Sequence, residues 1–135
     1  MKALLKNPDG QFLCLHKTKD EAIGDASDSL YDLPGGRKEA KETMMQGLFR
    51  EVVEETGIHI QTEQVQCVLD ETEVTRKDQS KLYVFTYLVH IGKEKVQLSE
   101  EHDAYVWVTK DSQMINKLPI YIQNLIQLTY KKDGE

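Results

Sequence analysis

The sequence predicts an α/β fold in which helices cover both faces of a central mixed β-sheet, an α/β/α sandwich. The predicted elements follow the order strand hairpin, helix, further strands, final helix. The strongest strand, residues 82–91, carries apolar side chains on both faces, which is typical of a central strand covered on both sides. A helix between residues 35 and 58 and another after Pro119 supply the two outer layers.

Size and charge restrict the classes of partner that we expect. The 135 residues suit one domain, residues 1–135, with a single hydrophobic core. No apolar run approaches the roughly 18–20 residues of a membrane helix, and the N-terminal apolar stretch is too short for a secretory signal, so we expect a cytoplasmic protein without a membrane partner. The net charge of −6 argues against binding a nucleic-acid polymer. Cys14 and Cys67 have no partner at metal-ligand spacing, so we expect buried thiols rather than a disulfide or zinc site.

The N-terminal residues predict a β-hairpin followed by a long loop. Residues 2–5 form a short apolar strand, and Asn7-Pro8-Asp9-Gly10 fits a type I turn. Residues 11–16 alternate as the second strand, and His16 at its end has either a structural role, the more common one, or a role in reaching a substrate. Residues 17–31 are polar, have little periodicity and exceed the usual length of a connection.

An amphipathic helix between Gly35 and Ile58 carries the main candidate residues. Gly57 is suited to end it, since glycine adopts the left-handed conformation without a Cβ penalty. At about 100° per residue, three acids share one arc of this helix. These acids are Glu51, Glu54 and Glu55. A separate apolar arc would face the core. It consists of Met45, Leu48, Phe49, Val52 and Val53.

The acidic arc is unfavourable for the helix that carries it. Glu51 and Glu55 are like charges at i,i+4, which costs about 0.2–0.5 kcal/mol. The acids also lie in the last turns, where the helix dipole disfavours each negative charge by about 0.3–1 kcal/mol, and Arg50 is the only nearby compensation. A hard divalent cation would reverse this cost, because carboxylate oxygens are the ligands that Mg²⁺ prefers. An ordinary solvated acidic face is the alternative for such a cluster taken alone.

The spacing of these residues resembles the Nudix box. Gly36, five residues, Glu42 and seven more residues precede REVVEETGI, residues 50–58, with no departure at any fixed position. The segment YDLPGG, residues 31–36, resembles the aromatic-x-Leu-Pro-Gly-Gly entry to that motif. The motif fixes many positions over the 23 residues from Gly36 to Ile58. By this resemblance the chain is identified as a member of the Nudix hydrolase family, with the α/β/α fold of that family.

The resemblance implies a metal-dependent active site. Arg50 would orient Glu51 through a charge-assisted hydrogen bond, and Glu42 would have a structural or supporting role. The loop of residues 17–31 would lie beside this site and help to choose the substrate, with a merely exposed connector as the alternative. The implied ligands of Mg²⁺ or Mn²⁺ are the carbonyl of Gly35 and the carboxylates of Glu51, Glu54 and Glu55.

Strands follow the helix in the second half of the chain. Residues 65–69 alternate as a strand, the charged run of residues 71–80 predicts a hairpin loop, and residues 82–91 form the central strand. One face of that strand carries an aromatic row that could stack a nucleobase, although core packing is the more common role. The row consists of Tyr83, Phe85 and Tyr87.

Residues 98–108, LSEEHDAYVWV, resemble the Glu-His…Trp-Val loop and strand found late in many Nudix domains. In the family a loop acid there completes the metal site or acts as the base. Glu101 is the candidate in this chain, and Glu100 and Asp103 are the alternatives. His102 is expected on the surface of the loop, because no second histidine lies at ligand spacing.

The last residues predict two helices. Asp111 can cap a short helix through residues 114–115, and Pro119 suits the first turn of the final helix. The buried stripe of the final helix consists of Leu118, Ile122, Leu125 and Ile126.

Together these features predict metal-dependent hydrolysis of a nucleoside diphosphate linked to another moiety. Carboxylates that hold Mg²⁺ or Mn²⁺ can neutralise a diphosphate and acidify water, and Glu51 or Glu101 would accept the proton of the attacking water. A non-catalytic nucleotide-sensing domain is one alternative, although such domains commonly lose acids of the box and none is lost here. A structural or interaction protein with an incidental acidic face is the other.

Family markers for particular substrates are absent. The proline that would suggest ADP-ribose is missing near Val74, and the tyrosine that marks dinucleoside polyphosphates is missing at Thr75 and Arg76. Size and the initial hairpin resemble the branch that hydrolyses nucleoside triphosphates, including oxidised nucleotides. The purine-reading asparagine of that branch has no counterpart in residues 118–122, although Asn124 is close. ADP-ribose and nucleotide sugars are the alternative substrates, and the expected state is a monomer or a homodimer.

Overall fold

The computed structural model describes residues 1–19, 30–75 and 78–132, in which six strands form one sheet. The strands are β1 (Lys2–Lys6), β2 (Phe12–Lys17), β3 (Tyr31–Asp32), β4 (Val65–Thr75), β5 (Lys81–His90) and β6 (His102–Val108). Their order is β3-β2-β1-β5-β4, with β6 paired to β2. β1 runs parallel to β5, whereas the other named pairs are antiparallel, so the sheet is mixed as predicted.

The β1–β2 hairpin opens away from its turn, and residues 31–36 lie in the gap between the two strands. β1 and β2 pair next to their connecting turn, whereas β3 pairs with the far end of β2. The Ala3 N–H donates to the Pro34 carbonyl at 2.8 Å, and the Gly36 N–H donates to the Met1 carbonyl at 2.9 Å. The glycine turn before the predicted helix is therefore held by strand-like backbone bonds rather than free in solvent.

Two α-helices cover opposite faces of the sheet, which confirms the α/β/α sandwich. Successive side chains of a strand point to opposite faces. In β1, Ala3 and Leu5 join the core cluster beneath the first helix, whereas Leu4 joins the cluster beneath the second. Among the described residues, the helical segments are α1 (Met44–Thr56), the 3₁₀ turns Thr62–Gln64 and Gln113–Lys117, and α2 (Ile120–Lys132).

The apolar stripe predicted for α2 packs into the core, and so does that predicted for α1 except for Val53, which is only partly buried and joins neither core cluster. In α1, Leu48 and Val52 are fully buried, and Met45 and Phe49 pack partly buried against the same cluster. The predicted stripe of α2 is buried from Leu118 to Ile126. Within the described ranges, no helix is long and apolar enough to cross a bilayer.

The β4–β5 ribbon is longer than the sequence predicts. Residues 71–75 continue β4, so the predicted loop over residues 71–80 is wrong for its first half. The register runs from Val65↔Val89 to Thr75↔Lys81, and the Lys81 Nζ lies 2.9 Å from Glu73 Oε1. Backbone ladder bonds do not depend on side-chain polarity. Charged residues are tolerated here because this part of the ribbon extends past the core, where water and cross-strand pairs satisfy them.

β5 is a covered central strand only in its second half. Thr86 to Val89 are buried, whereas the first half of the strand is partly or largely exposed. The expected core role of the aromatic row is correct for Tyr87, which is 7% exposed, and wrong for Tyr83, which is 57% exposed. Tyr83 lies in the exposed first half of β5, where the strand extends past the buried core.

Three smaller expectations can be compared with the structure. Ser112 rather than Asp111 occupies the N-cap position, and the segment it precedes is a 3₁₀ turn. Cys14 is buried, and burial raises the pKa of its thiol to about 12, whereas Cys67 is only partly buried. Of the predicted loop over residues 17–31, residues 20–29 lie outside the described part of the chain.

Both ends of α1 are capped by side-chain or backbone chemistry. The Thr43 Oγ1 accepts a hydrogen bond from the Gln46 N–H at 3.1 Å, and the Gln46 Oε1 accepts one from the Thr43 N–H at 2.9 Å. This reciprocal pair is a capping box. Gly57 ends the helix at φ 73°, as predicted, and donates its N–H to the Val53 carbonyl at 2.9 Å.

We expect Thr43→Ala to lower the free energy of unfolding by about 1 kcal/mol, because one N-terminal amide of α1 loses its acceptor. Thr43→Ser keeps a hydroxyl at the same position and is the matched control. Urea denaturation followed by circular dichroism measures both changes. Equal stability of the alanine variant and the wild type would show that the capping box does not stabilise α1.

Candidate metal centre and active site

The acidic arc of α1 faces a cavity of about 400 Å³ that the loop before β6 also lines. Its lining residues are Glu51, Glu54, Glu55, Ser99, Glu100 and Glu101. A second cavity of about 400 Å³ shares three of those acids and continues along the glycine turn. The shared acids are Glu51, Glu55 and Glu101. We refer to the two adjoining spaces together as the acid cavity, and it brings together the candidate residues of α1, the glycine turn and the late loop.

Glu55 is the most buried carboxylate of the acid cavity. It is 7% exposed, and its Oε2 accepts a hydrogen bond from the Gly35 N–H at 2.9 Å. Burial raises the pKa of Glu55 to about 8, even though the Gly35 amide and the Lys2 ammonium act in the opposite direction. The carboxylate of Glu51 adds to the rise by repulsion. A negative charge at this position is therefore costly unless a cation shares the cavity.

Arg50 ties the start of the Nudix-like segment to its end. Its Nε and one terminal nitrogen donate to both carboxylate oxygens of Glu42, at 2.7 and 2.9 Å. The other terminal nitrogen donates to Glu51 Oε1 at 2.9 Å, so the hydrogen bond predicted between these two residues is present. The hydrogen bonds from Arg50 lower the pKa of Glu42 to about 2 and raise the pKa of the guanidinium itself. Glu42 is thus positioned to hold Arg50, and Arg50 to hold Glu51.

Gly35 and Gly36 bring the backbone of the glycine turn unusually close to a carboxylate side chain and to the backbone at the start of the chain. A Cβ on Gly36 would lie 2.5 Å from the carboxylate carbon of Glu51. A Cβ on Gly35, where φ is 151°, would lie 2.2 Å from the Met1 carbonyl oxygen. The absence of side chains at these positions therefore makes room for the Glu51 carboxylate on one side and for β1 on the other.

The loop before β6 brings Glu101 and His102 to the buried end of α1. One potential ligand atom from each of Glu55, Glu101 and His102 lies within 4.8 Å of the other two. The Thr18 N–H donates to the Glu101 carbonyl at 3.1 Å, which ties this loop to the chain just after β2. The expectation that His102 lies on the surface is wrong. It is the first residue of β6, pairs with Lys17 and is only 8% exposed.

The other two loop acids lie in different places. Glu100 lines the outer part of the acid cavity beside Glu54. Asp103 instead pairs with His16, whose Nδ1 lies 2.6 Å from the Asp103 Oδ1. His16 also makes an edge-to-face contact with Tyr31 at 5.0 Å between ring centroids. The structural reading of His16 therefore agrees with its contacts, and Asp103 belongs to those contacts rather than to the acid cavity.

The residues around the acid cavity fit a hard divalent cation. The cavity is lined by carboxylate oxygens, which are the ligand atoms that Mg²⁺ and Mn²⁺ prefer. The charge that burial disfavours at Glu55 would be stabilised by a cation, and the missing Cβ of Gly36 leaves space for the Glu51 carboxylate at the same place. His102 adds a ring nitrogen that lies within 4.8 Å of a carboxylate oxygen of Glu55 and of Glu101.

A family model described as NUDIX domain matches residues 2–127. The chain belongs to the Nudix family. The match extends over nearly the whole chain, so the predicted membership is confirmed well beyond the box itself. In class the protein is accordingly a Nudix pyrophosphohydrolase. No curated protein matches the sequence.

Solved structures of other Nudix proteins have the same fold. The MutT protein from Methanosarcina mazei Go1 is 25% identical with a TM-score of 0.75, over 99% of this chain and 93% of that chain. A C. elegans Ap4A hydrolase in a binary complex is 18% identical with a TM-score of 0.74, over 98% and 95%. The E. coli ORF135 protein is 21% identical with a TM-score of 0.70, over 96% and 86%. The predicted fold class is thereby confirmed.

Sequence reasoning missed a polar network at the other end of the acid cavity of this Nudix protein. The Lys2 Nζ lies 2.8 Å from Asp32 Oδ2, and the hydroxyl of Tyr121 donates to the same carboxylate. Burial acts to raise the pKa of Asp32, but Lys2 and the hydrogen bonds outweigh it and hold that pKa below its usual value. Lys17, which is 4% exposed, lines the cavity nearby. Only Asp32, three residues before the carbonyl candidate Gly35, could have been inferred from its position in the sequence.

We expect Gly36→Ala to lower turnover by about a hundredfold, because the new Cβ displaces the Glu51 carboxylate from the acid cavity. Gly92→Ala is the matched control, since its Cβ would lie 3.3 Å from the flexible end of Glu94 and no positive φ is involved. The measurement is the Mg²⁺-dependent kcat/KM of each variant, with circular dichroism as the check on folding. Equal activity of the two variants would show that the close approach at Gly36 is not needed.

Proposed function

We propose that this Nudix protein hydrolyses a nucleoside diphosphate linked to another moiety, with Mg²⁺ or Mn²⁺ as the cofactor. The observation that carries the proposal is the convergence of Glu51, Glu55 and Glu101 on one cavity beside the glycine turn. These acids come from two distant parts of the chain, so their grouping is a property of the fold and not of one acidic helix. Residues 1–135 would act as a single domain.

The carboxylates of the acid cavity and one backbone carbonyl would hold the metal. Once bound, Mg²⁺ or Mn²⁺ would neutralise the diphosphate oxygens and acidify water. The carboxylates differ in burial, since Glu55 is enclosed whereas the side chain of Glu54 is 56% exposed. Glu55 would therefore bind the metal at the buried end of the cavity and Glu54 at its solvent-exposed side. The proposed ligands are the carbonyl of Gly35 and the carboxylates of Glu51, Glu54, Glu55 and Glu101.

Either Glu51 or Glu101 would take the proton from the attacking water. Glu51 is held in place by the 2.9 Å hydrogen bond that Arg50 donates to its Oε1. Glu101 is carried by a loop and lies close to the buried Glu55. Arg50 would act by positioning, because its guanidinium is already occupied by Glu42 and Glu51.

The proposed substrates are small nucleotides rather than nucleic-acid polymers. Nucleoside triphosphates, including oxidised forms, are favoured by the similarity to MutT proteins, such as the one from Methanosarcina mazei. ADP-ribose, nucleotide sugars and dinucleoside polyphosphates such as Ap4A are the alternatives. We further propose a cytoplasmic location and a monomeric or homodimeric state, as expected from the sequence.

We expect Glu55→Gln to lower turnover on the order of a hundredfold or more, because a charged ligand is lost while an amide oxygen can still accept the Gly35 N–H. Glu63→Gln, on the exposed 3₁₀ turn, is the matched control and should retain full activity. The readout is phosphate or pyrophosphate release with Mg²⁺. Near-normal activity of the Glu55 variant would contradict the metal assignment.

A substrate panel distinguishes the candidate functions. It contains nucleoside triphosphates with their 8-oxo forms, ADP-ribose, nucleotide sugars, dinucleoside polyphosphates and coenzyme A. One compound turned over much faster than the others, and only with Mg²⁺ or Mn²⁺, identifies the substrate class. Nucleotide binding without any turnover would support the nucleotide-sensing alternative instead.

A further inference from the structure

We propose that a cavity at the start of β5 binds the base of the nucleotide substrate, an inference that rests on the proposed function and adds a position for the substrate to it. This β5 cavity has a volume of about 520 Å³ and lies on the α1 side of the sheet. Its apolar lining includes Met44 of α1 together with Leu82, Tyr83 and Phe85 of β5. None of these residues has a role in the acid cavity.

The β5 cavity adjoins the acid cavity. Lys2, Gly36 and Arg37 line both spaces, so the glycine turn forms the boundary between them. A substrate whose diphosphate lies against the carboxylates can therefore extend past Gly36 into the β5 cavity. The part that enters must be the group attached to the diphosphate.

The apolar lining favours an aromatic ring as that group. Tyr83 is 57% exposed, and within the described residues its ring stacks on no other ring. Phe85 and Met44 are partly buried and form the inner wall against the core. Stacking on exposed aromatic side chains is a common way of binding nucleobases, because every base has a π-face. An exposed tyrosine above an apolar floor suits that mode of binding.

The charges of the β5 cavity favour a phosphate next to that ring. All four charged residues that line it are basic, in a chain of net charge −6. Three of them already have partners, since Lys2 pairs with Asp32, Lys81 pairs with Glu73, and Lys38 donates to backbone carbonyls. The guanidinium of Arg37 has no hydrogen bond or ion pair to any described residue, and it lies at the junction of the two cavities.

Arg37 is therefore available for the phosphate that joins the base-bearing sugar to the remainder of the substrate. The arrangement places the base on Tyr83, the adjacent phosphate near Arg37 and the far phosphate at the carboxylates. A nucleoside 5′-phosphate is the smallest compound that contacts both Tyr83 and Arg37, and inorganic pyrophosphate is the matching compound without a base.

The test compares Tyr83→Thr with Tyr105→Thr. Both tyrosines are exposed strand residues, but Tyr105 lies on β6 outside the β5 cavity. Threonine is β-branched, so both variants keep a strand-forming residue, and circular dichroism checks their folding. Isothermal titration with Mg²⁺ measures the affinity for AMP, GMP, CMP, UMP, the corresponding nucleosides and inorganic pyrophosphate.

Tyr83→Thr should weaken nucleotide binding by about tenfold and leave pyrophosphate binding unchanged, because only the stacking surface is lost. Tyr105→Thr should change neither affinity. Arg37→Gln should weaken binding of the nucleotides but not of the corresponding nucleosides, with Lys93→Gln, an exposed residue outside both cavities, as its control.

Each outcome separates this inference from the proposed function. Weaker nucleotide binding by the Tyr83 variant, without turnover of any substrate by the wild type, would support the β5 cavity and contradict the proposed hydrolysis. Normal turnover with unchanged nucleotide affinity in the Tyr83 variant would overturn the β5 cavity and leave the hydrolysis intact. Equal effects of the two tyrosine variants, equal loss of nucleotide and pyrophosphate binding, or no nucleotide binding by the wild type would also overturn it.

Discussion

The burial of the Glu55 carboxylate against the backbone of Gly35 is the constraint on which the site depends. This one hydrogen bond joins the last turn of α1 to the glycine turn, and the Gly36 amide joins that turn to the start of β1. Helix, turn and sheet therefore meet at a point where a carboxylate has been removed from water. Burial alone makes its negative charge unfavourable, as the pKa of about 8 indicates. A divalent cation at the same place, as proposed for this site, would stabilise the ionised form of the group.

The remaining acids of the box are arranged around that buried group by one guanidinium. Arg50 holds both oxygens of Glu42 and one oxygen of Glu51, so the loop before α1 and the middle of the helix keep a fixed relation. Steric space completes the arrangement, because the Glu51 carboxylate occupies the volume that a side chain on Gly36 would need. The long, exact spacing of the motif thus has a physical reason. It allows Arg50 to donate hydrogen bonds to Glu42 and Glu51 at the same time, and it places the Glu51 carboxylate against the backbone of Gly36.

The acid cavity and the β5 cavity differ in the charges that line them. Carboxylates converge in the acid cavity, together with a few basic side chains, whereas the charged residues of the β5 cavity are all basic and its remaining lining is largely apolar. The neutral backbone of Gly36 lies between them, with Arg37 next to it. An extended anion with an aromatic end matches this sequence of environments better than a compact one does. The exposed half of the β4–β5 ribbon, where Tyr83 lies, is what creates the second space.

The sequence by itself determined the α/β/α class, the two apolar helix stripes and the acidic arc of α1, because each depends on residues a few positions apart. Periodicity and motif spacing report such local relations directly. Tertiary structure alone decided the full length of β4, the exposure of Tyr83 and the burial of His102 beside Glu55. It also brought Tyr121 to Asp32 across 89 residues of chain. Polarity predicts whether a residue can face water, but not how far a strand pair continues beyond the core or which loop packs onto a helix end. Those outcomes depend on contacts between segments that are distant in the sequence.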